Sequence, residues 1–189
     1  MDELLPRLLF DPAAALPASC WLEIGFGAGE HIAWQAAQNP GTIMIGCEVY
    51  RNGVAALLGQ IERQNISNIR IWPEDARDLM DRLPDRAIAR AFLLFPDPWP
   101  KSRHAERRFI GRTNLDSLAR ILAPGAEFRL ASDDGVYLDW VMDHLPTHPG
   151  FERLGDEAGR PADWPPTRYE QKALRQGRQP GYFRFRRRA

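Results

Sequence analysis

The sequence predicts an α/β fold in which a parallel sheet is covered by helices on both faces. Three observations predict it. Short, almost wholly apolar runs such as Thr42–Glu48 and Ala89–Phe95 read as strands buried on both faces. Amphipathic stretches alternate with them, as in Arg51–Gln64, where Val54, Leu57, Leu58 and Ile61 form one apolar stripe. Gly25–Gly29, Asn39-Pro40-Gly41 and Pro124-Gly125 fall where one element must give way to the next. With 189 residues, 44% of them apolar, the chain suits one domain (residues 1–189) around a single sizeable core.

The elements follow in order. Leu4, Leu5, Leu8 and Leu9 predict a short helix ended by Pro12 and Pro17, and Trp21–Ile24 a first strand. Gly25–Gly29 turns into a helix from Glu30 to Gln38, followed by the strand Thr42–Glu48 and the helix Arg51–Gln64. Ile69–Trp72 is a third strand ending near Glu74 and Asp75; a short helix runs to Leu83, and Ala89–Phe95 is the fourth strand. A basic segment then enters a helix expected to continue through Leu122. Glu127–Ser132 is the fifth strand, Val136–His144 the fifth helix, and Tyr182–Phe185 a last strand after a loop over residues 155–181. No internal repeat or linker interrupts this series.

The formal net charge is zero, but its distribution is uneven. From Arg160 onward nine basic residues face only Asp163 and Glu170, so the preceding chain is acidic. Cys20 and Cys47, both in or beside strands, predict no disulfide, and without a Cys/His cluster no metal is expected. The beginning, Met1 to Arg7, is too acidic for a signal peptide, and nothing approaches the ~20 apolar residues of a membrane span. A cytoplasmic protein without membrane contact is expected.

Sheets of this kind bind ligands outside the carboxyl ends of their strands. Gly25, Gly27 and Gly29, after the first strand, let the backbone approach a ligand closely. A dinucleotide fingerprint would place its third glycine where Glu30 stands, so the pattern suits a nucleoside without a pyrophosphate. Glu23 repels phosphate and welcomes an ammonium. Glu48 is placed to accept both ribose hydroxyls, and Asp75 to accept an adenine amino group. Together they describe S-adenosylmethionine, although one acid at a strand end also serves as a helix cap.

After the fourth strand, Pro96, Pro98 and Pro100 remove three backbone donors and hold Asp97 and Trp99 in a stiff, extended turn. Lys101, Arg103, His104, Arg107 and Arg108 follow, offset only by Glu106. Such a cluster suits phosphate contacts with an anionic polymer, the alternative being a solvated helix start. Trp99 serves either to stack on a base or to pack the turn.

Phe95-Pro96-Asp97-Pro98-Trp99-Pro100-Lys101 makes the chain specific. With Glu23–Gly29, Glu48, Asp75, Arg103–Arg108, Ser132-Asp133 and Thr167–Glu170 in this order, it resembles the bacterial tRNA (guanine-N7-)-methyltransferases. The resemblance implies a Rossmann-like class I methyltransferase fold, a seven-stranded, mostly parallel sheet whose last strand is antiparallel. It implies methyl transfer from S-adenosylmethionine to N7 of a guanosine in the tRNA variable loop. Glu23, Glu48 and Asp75 would bind the donor, with Asp97 the active-site acid beside it. Lys101, Arg103, His104, Arg107, Arg108, Asp133, Thr167, Arg168 and Glu170 would meet the RNA substrate. Relatives usually begin with a longer, Arg-rich arm, which is expected to be short or missing here. A monomer or homodimer is expected.

Guanine N7 has a free lone pair at neutral pH, so no general base is needed, and catalysis should rest on positioning and charge stabilisation. Asp97 can orient the guanine edge and compensate its developing positive charge. Thr167 and Glu170 also have the spacing of a helix capping box. Arg184, Arg186, Arg187 and Arg188 either touch RNA or keep the tail solvated. Two rival readings remain: a methyltransferase for a small molecule, and a non-catalytic tRNA-binding subunit of the same fold.

Overall fold

The computed structural model describes residues 4–17, 19–157 and 159–189; the reading of the first residues as no signal peptide falls partly on residues 1–3, outside them. Seven strands form one sheet: β1 (Cys20–Ile24), β2 (Ile43–Cys47), β3 (Ile69–Trp72), β4 (Ile88–Leu94), β5 (Leu122–Ser132), β6 (Phe151–Glu157) and β7 (Gly181–Arg187). Their order is β3-β2-β1-β4-β5-β7-β6. β1 to β5 pair in parallel, and β7 runs antiparallel to both β5 and β6, as expected of the last strand. The helices are α1 (Leu5–Leu8), α2 (Glu30–Gln38), α3 (Arg51–Gln64), α4 (Ala76–Arg82), α5 (Arg112–Ile121), α6 (Gly135–His144) and α7 (Arg168–Arg175).

Alternation along the strands feeds two cores. In β2, Met44 joins Ile32, Ala33, Leu57 and Ile61 of α2 and α3, while Ile45 and Cys47 join Leu79, Leu115, Leu118 and Val141 of α4, α5 and α6. Both faces of the strand are therefore apolar, which is why Thr42–Glu48 reads as an unbroken hydrophobic run. The buried Asn68 amide donates to the carbonyls of Ala36, Asn39 and Thr42 at 2.8–3.0 Å, tying the end of α2 to the start of β2. Order reverses between β1 and β4, so the chain leaves their carboxyl ends in opposite directions and opens a crevice there.

The short amino-terminal helix is a single turn, after which Phe10 N–H bonds Ile71 O at 2.9 Å. Three expectations need correction. The predicted helix through Leu122 is divided into a 3-10 turn (Ser102–Arg107) and α5, and β5 already begins at Leu122, bulging past Gly125. The strand β6 escaped notice because its edge sequence Phe-Glu-Arg-Leu-Gly lacks a sustained apolar run. Residues 155–181 are not all loop: α7 lies within them, and with only Glu170 and Ala173 buried it carries no apolar stripe.

Candidate active site

The crevice is a cavity of about 520 Å³, within the usual size of a small-molecule site. Its walls come from the ends of β1, β2, β3 and β4 together with α7. Gly25, Gly27, Glu48, Asp75 and Asp97 all line it, as do Trp99 and Arg107. Glu74 and Glu106 bring the lining carboxylates to five, against the guanidiniums of Arg77 and Arg107. That surplus of negative charge favours a cationic ligand.

The glycine loop is shaped by close contacts. Gly27 has φ +58°, and a Cβ there would stand 3.1 Å from the Tyr169 ring. Its N–H donates to Glu48 Oε2 at 2.8 Å, while Tyr50 N–H donates to Oε1 at 2.9 Å. Glu48 is thus anchored on both oxygens, each keeping a lone pair for the cavity. From below, Gly53 of α3 approaches so closely that a Cβ would meet Gly27 O at 2.4 Å. The sequence reading missed Gly53, although a glycine inside a helix carries a propensity cost that signals a packing role.

Asp75 is the N-cap of α4: its Oδ1 accepts from Arg77 N–H at 2.9 Å, and Oδ2 from the Arg77 guanidinium at 2.9 Å. The cap and the cavity-lining position coexist. Cys47 also lines the cavity; burial, then the charges of Asp75 and Glu48, push its thiol far above the usual range, so it stays neutral.

Glu23 lies elsewhere. It is 2% exposed, does not line the cavity, and bonds His31 Nδ1 at 2.7 Å. His31 continues to Gln35, whose amide donates to Asp163 O at 2.8 Å. Gly29 also stands back, packed against Leu57, where a Cβ would come within 2.7 Å. In this structure both residues support the glycine loop from behind.

The proline segment is not extended throughout, because Phe95 and Trp99 have φ of +51° and +43°. These left-handed residues fold it into a compact turn that exposes Asp97 at the cavity while half-burying Trp99. Asp97 has no hydrogen-bond or ion-pair partner among the described residues. The His104 ring meets Trp99 edge-on with centroids 5.8 Å apart, and the Arg107 guanidinium lies 4.8 Å from the centre of the indole.

Of the nine residues predicted to meet RNA, seven divide into an exposed and a buried set, with His104 and Asp133 half-buried between them. Lys101, Arg103, Arg107 and Arg168 are exposed, and Arg107 lines the cavity. Arg108, Thr167 and Glu170 are buried, and their side chains serve the fold here. Arg108 turns inward as the 3-10 turn ends and donates to Pro98 O and Trp99 O. Thr167 caps α7, accepting from Glu170 N–H at 3.2 Å. Glu170 does not return to the cap as a full capping box would; it accepts from Tyr182 O–H at 2.6 Å and pairs with Arg160 at 3.0 Å. Asp133 is paired with Arg178 at 3.0 Å. Tyr169 was missed although it lies inside the Thr167–Glu170 motif, and it covers the glycine loop from α7.

Among the described residues no group of His, Cys, Asp and Glu could hold a metal ion, and no helix is long and apolar enough to cross a membrane. A glycine loop and strand-end acids at the switch point of a seven-stranded sheet with an antiparallel last strand define a class I methyltransferase fold. A solved structure of the antibiotic-resistance methyltransferase Kmr superposes with a TM-score of 0.65 at 19% identity, covering 93% of this chain and 89% of that one, a likeness of fold. Residues 17–181 match a family model described as "Putative methyltransferase".

The tRNA (guanine-N(7)-)-methyltransferase of Paramagnetospirillum magneticum is 51% identical over 205 residues, spanning all of this chain and 86% of that protein. The enzyme of the same name from Rhodospirillum rubrum is 50% identical over 206 residues, spanning all of this chain and 81% of its own. The chain belongs to the tRNA (guanine-N7-)-methyltransferase family.

Proposed function

We propose that this chain, acting as one domain, transfers a methyl group from S-adenosylmethionine to N7 of a guanosine in the tRNA variable loop, forming 7-methylguanosine. The observation that carries the reading is the meeting of Glu48 and Asp75 with Asp97 in one carboxylate-rich cavity. The names of the two relatives support the tRNA and the N7 position.

The residues fit a cationic nucleoside. Glu48, held by two backbone N–H groups, offers its remaining lone pairs to ribose hydroxyls. Asp75 offers the same to an adenine amino group, and Gly25 and Gly27 admit the ligand to the backbone. When bound, the donor supplies a methyl group activated by a positively charged sulfur. Glu23 and Gly29 act on that site by supporting the loop.

Asp97 orients the guanine edge and compensates the positive charge that grows on the purine; N7 carries a lone pair, so no proton is removed. Lys101, Arg103, Arg107 and Arg168 bind phosphates. His104 braces Trp99, while Asp133, Thr167 and Glu170 shape the substrate side through their own partners. Work in the cytoplasm follows from a tRNA substrate.

Incubation with labelled donor and unmodified tRNA, followed by nucleoside analysis, tests the proposal. Labelled 7-methylguanosine is expected, and its absence overturns the reading. Binding should weaken steeply with salt; a flat dependence would favour a small-molecule substrate.

A further inference from the structure

We infer that Arg108 is a positioning residue, which aims Asp97 by clamping the proline turn that carries it. The inference rests on the methyl-transfer reading above. Pro96, Pro98 and Pro100 leave this segment short of backbone donors, and the last bond tying it to the sheet is Phe95 N–H to Ala131 O at 2.7 Å. Beyond that point the turn is held by capture of its acceptors. Arg108 Nε lies 3.1 Å from Pro98 O and 3.3 Å from Trp99 O, and Nη2 lies 3.0 Å from Trp99 O. Asp97 immediately precedes the two clamped peptides, and Trp99 carries the left-handed backbone that such a clamp must maintain.

The guanidinium is itself held along one edge and one face. Arg108 is 5% exposed and has no carboxylate partner among the described residues, an arrangement that is costly unless its N–H groups and faces are satisfied. The two carbonyls take the Nε–Nη2 edge, and the Trp140 ring covers a face at 4.5 Å. Trp140 is in turn fixed by its Nε1–H bond to Ile110 O at 2.6 Å, so α6 backs the clamp. Arg107, next in sequence, is exposed over Trp99 and lines the cavity. Adjacent arginines therefore divide the work: one faces the ligand, the other holds the turn.

The test compares wild type with Arg108→Lys and Arg108→Met, measuring kcat and KM for tRNA, the salt dependence of tRNA binding, and thermal midpoints. Wild type run in parallel shows whether 7-methylguanosine forms at all, which separates failure of the functional reading from failure of this one. Acrylamide quenching of Trp99 fluorescence, isolated by difference against Trp99→Phe in each background, reports the turn independently of activity. In the folded variants kcat should fall about 100-fold, as expected of a misplaced catalytic group, with KM for tRNA and the salt slope little changed and Trp99 more accessible. Guanidinium ion added to Arg108→Ala should restore part of kcat. Wild-type kcat in a folded Arg108→Lys or Arg108→Met variant overturns the inference. So does an unchanged kcat with weaker tRNA binding and a salt slope reduced by about one, which would mark a phosphate contact.

Discussion

Around Gly27 the cavity wall is backbone, set by neighbours in the sheet: Glu48 accepts the loop's N–H at 2.8 Å, and Gly53 lets α3 lie against its carbonyl. Around Trp99 the wall is a turn with few donors, set by side chains from distant elements, chiefly Arg108 backed by Trp140. The first wall is held by close steric contact and by one carboxylate bonded to backbone N–H groups. The second depends on buried polar groups, each sensitive to a single atom. A methyl-transfer site would profit from the difference, because the nucleoside pocket can stay constant while the acid and indole are adjusted from behind.

The contrast can be broken at several points. Asp97→Asn should have the largest effect, lowering turnover about 100- to 1,000-fold, in the range lost with one preorganised electrostatic group. Calorimetry should find donor affinity far less affected; an equal fall in both would mean that the two walls do not act separately. Gly53→Ala tests the other wall. Its Cβ would meet Gly27 O at 2.4 Å and Glu48 Cγ at 3.0 Å, an overpacking expected to cost about 1–3 kcal/mol. That loss should be read as weaker donor binding, with turnover at saturating donor largely kept.

Tyr182→Phe sharpens the account of α7. It removes the 2.6 Å bond to buried Glu170, and hydrogen bonds to charged groups contribute about 1.5–3 kcal/mol. A denaturant titration should show that loss, with Arg160 left as the carboxylate's partner. The smallest effect is expected at Asp163. Burial alone would raise its carboxyl, but the hydrogen bond from Arg129 and that residue's charge outweigh it, so the folded value lies below the usual carboxylate range. Its stabilisation is then present above the unfolded-state value and is lost as pH falls through the depressed folded one. Asp163→Asn should be slightly less stable at neutral pH and show a flatter acid limb, as followed by thermal melts at a series of pH values.

The place of Glu48 and Asp75 at the cavity was legible because it depends on a local rule, an acid closing a buried strand, and that rule survives whatever packs around it. The same rule placed Glu23 in the cavity, but the buried His31, in the first turn of α2, takes its carboxylate. Spacing along the chain gives no sign of that bond. Charge type was equally blind to exposure: Arg107 and Arg108 look alike in sequence, yet one is exposed and the other 5% exposed.

By itself the sequence determined the alternation of strands and helices, the glycine loop, the strand-end acids and the proline turn, all properties of residue type and short-range spacing. Tertiary structure decided which charged side chains face the cavity and which are spent on the fold. Arg108 reaches Trp99 and Trp140, and Glu170 reaches Tyr182, only once α6, α7 and β7 are packed. The physical reason is desolvation: burial makes a partner obligatory for a charged group, and the partner is supplied by whichever element folding brings alongside.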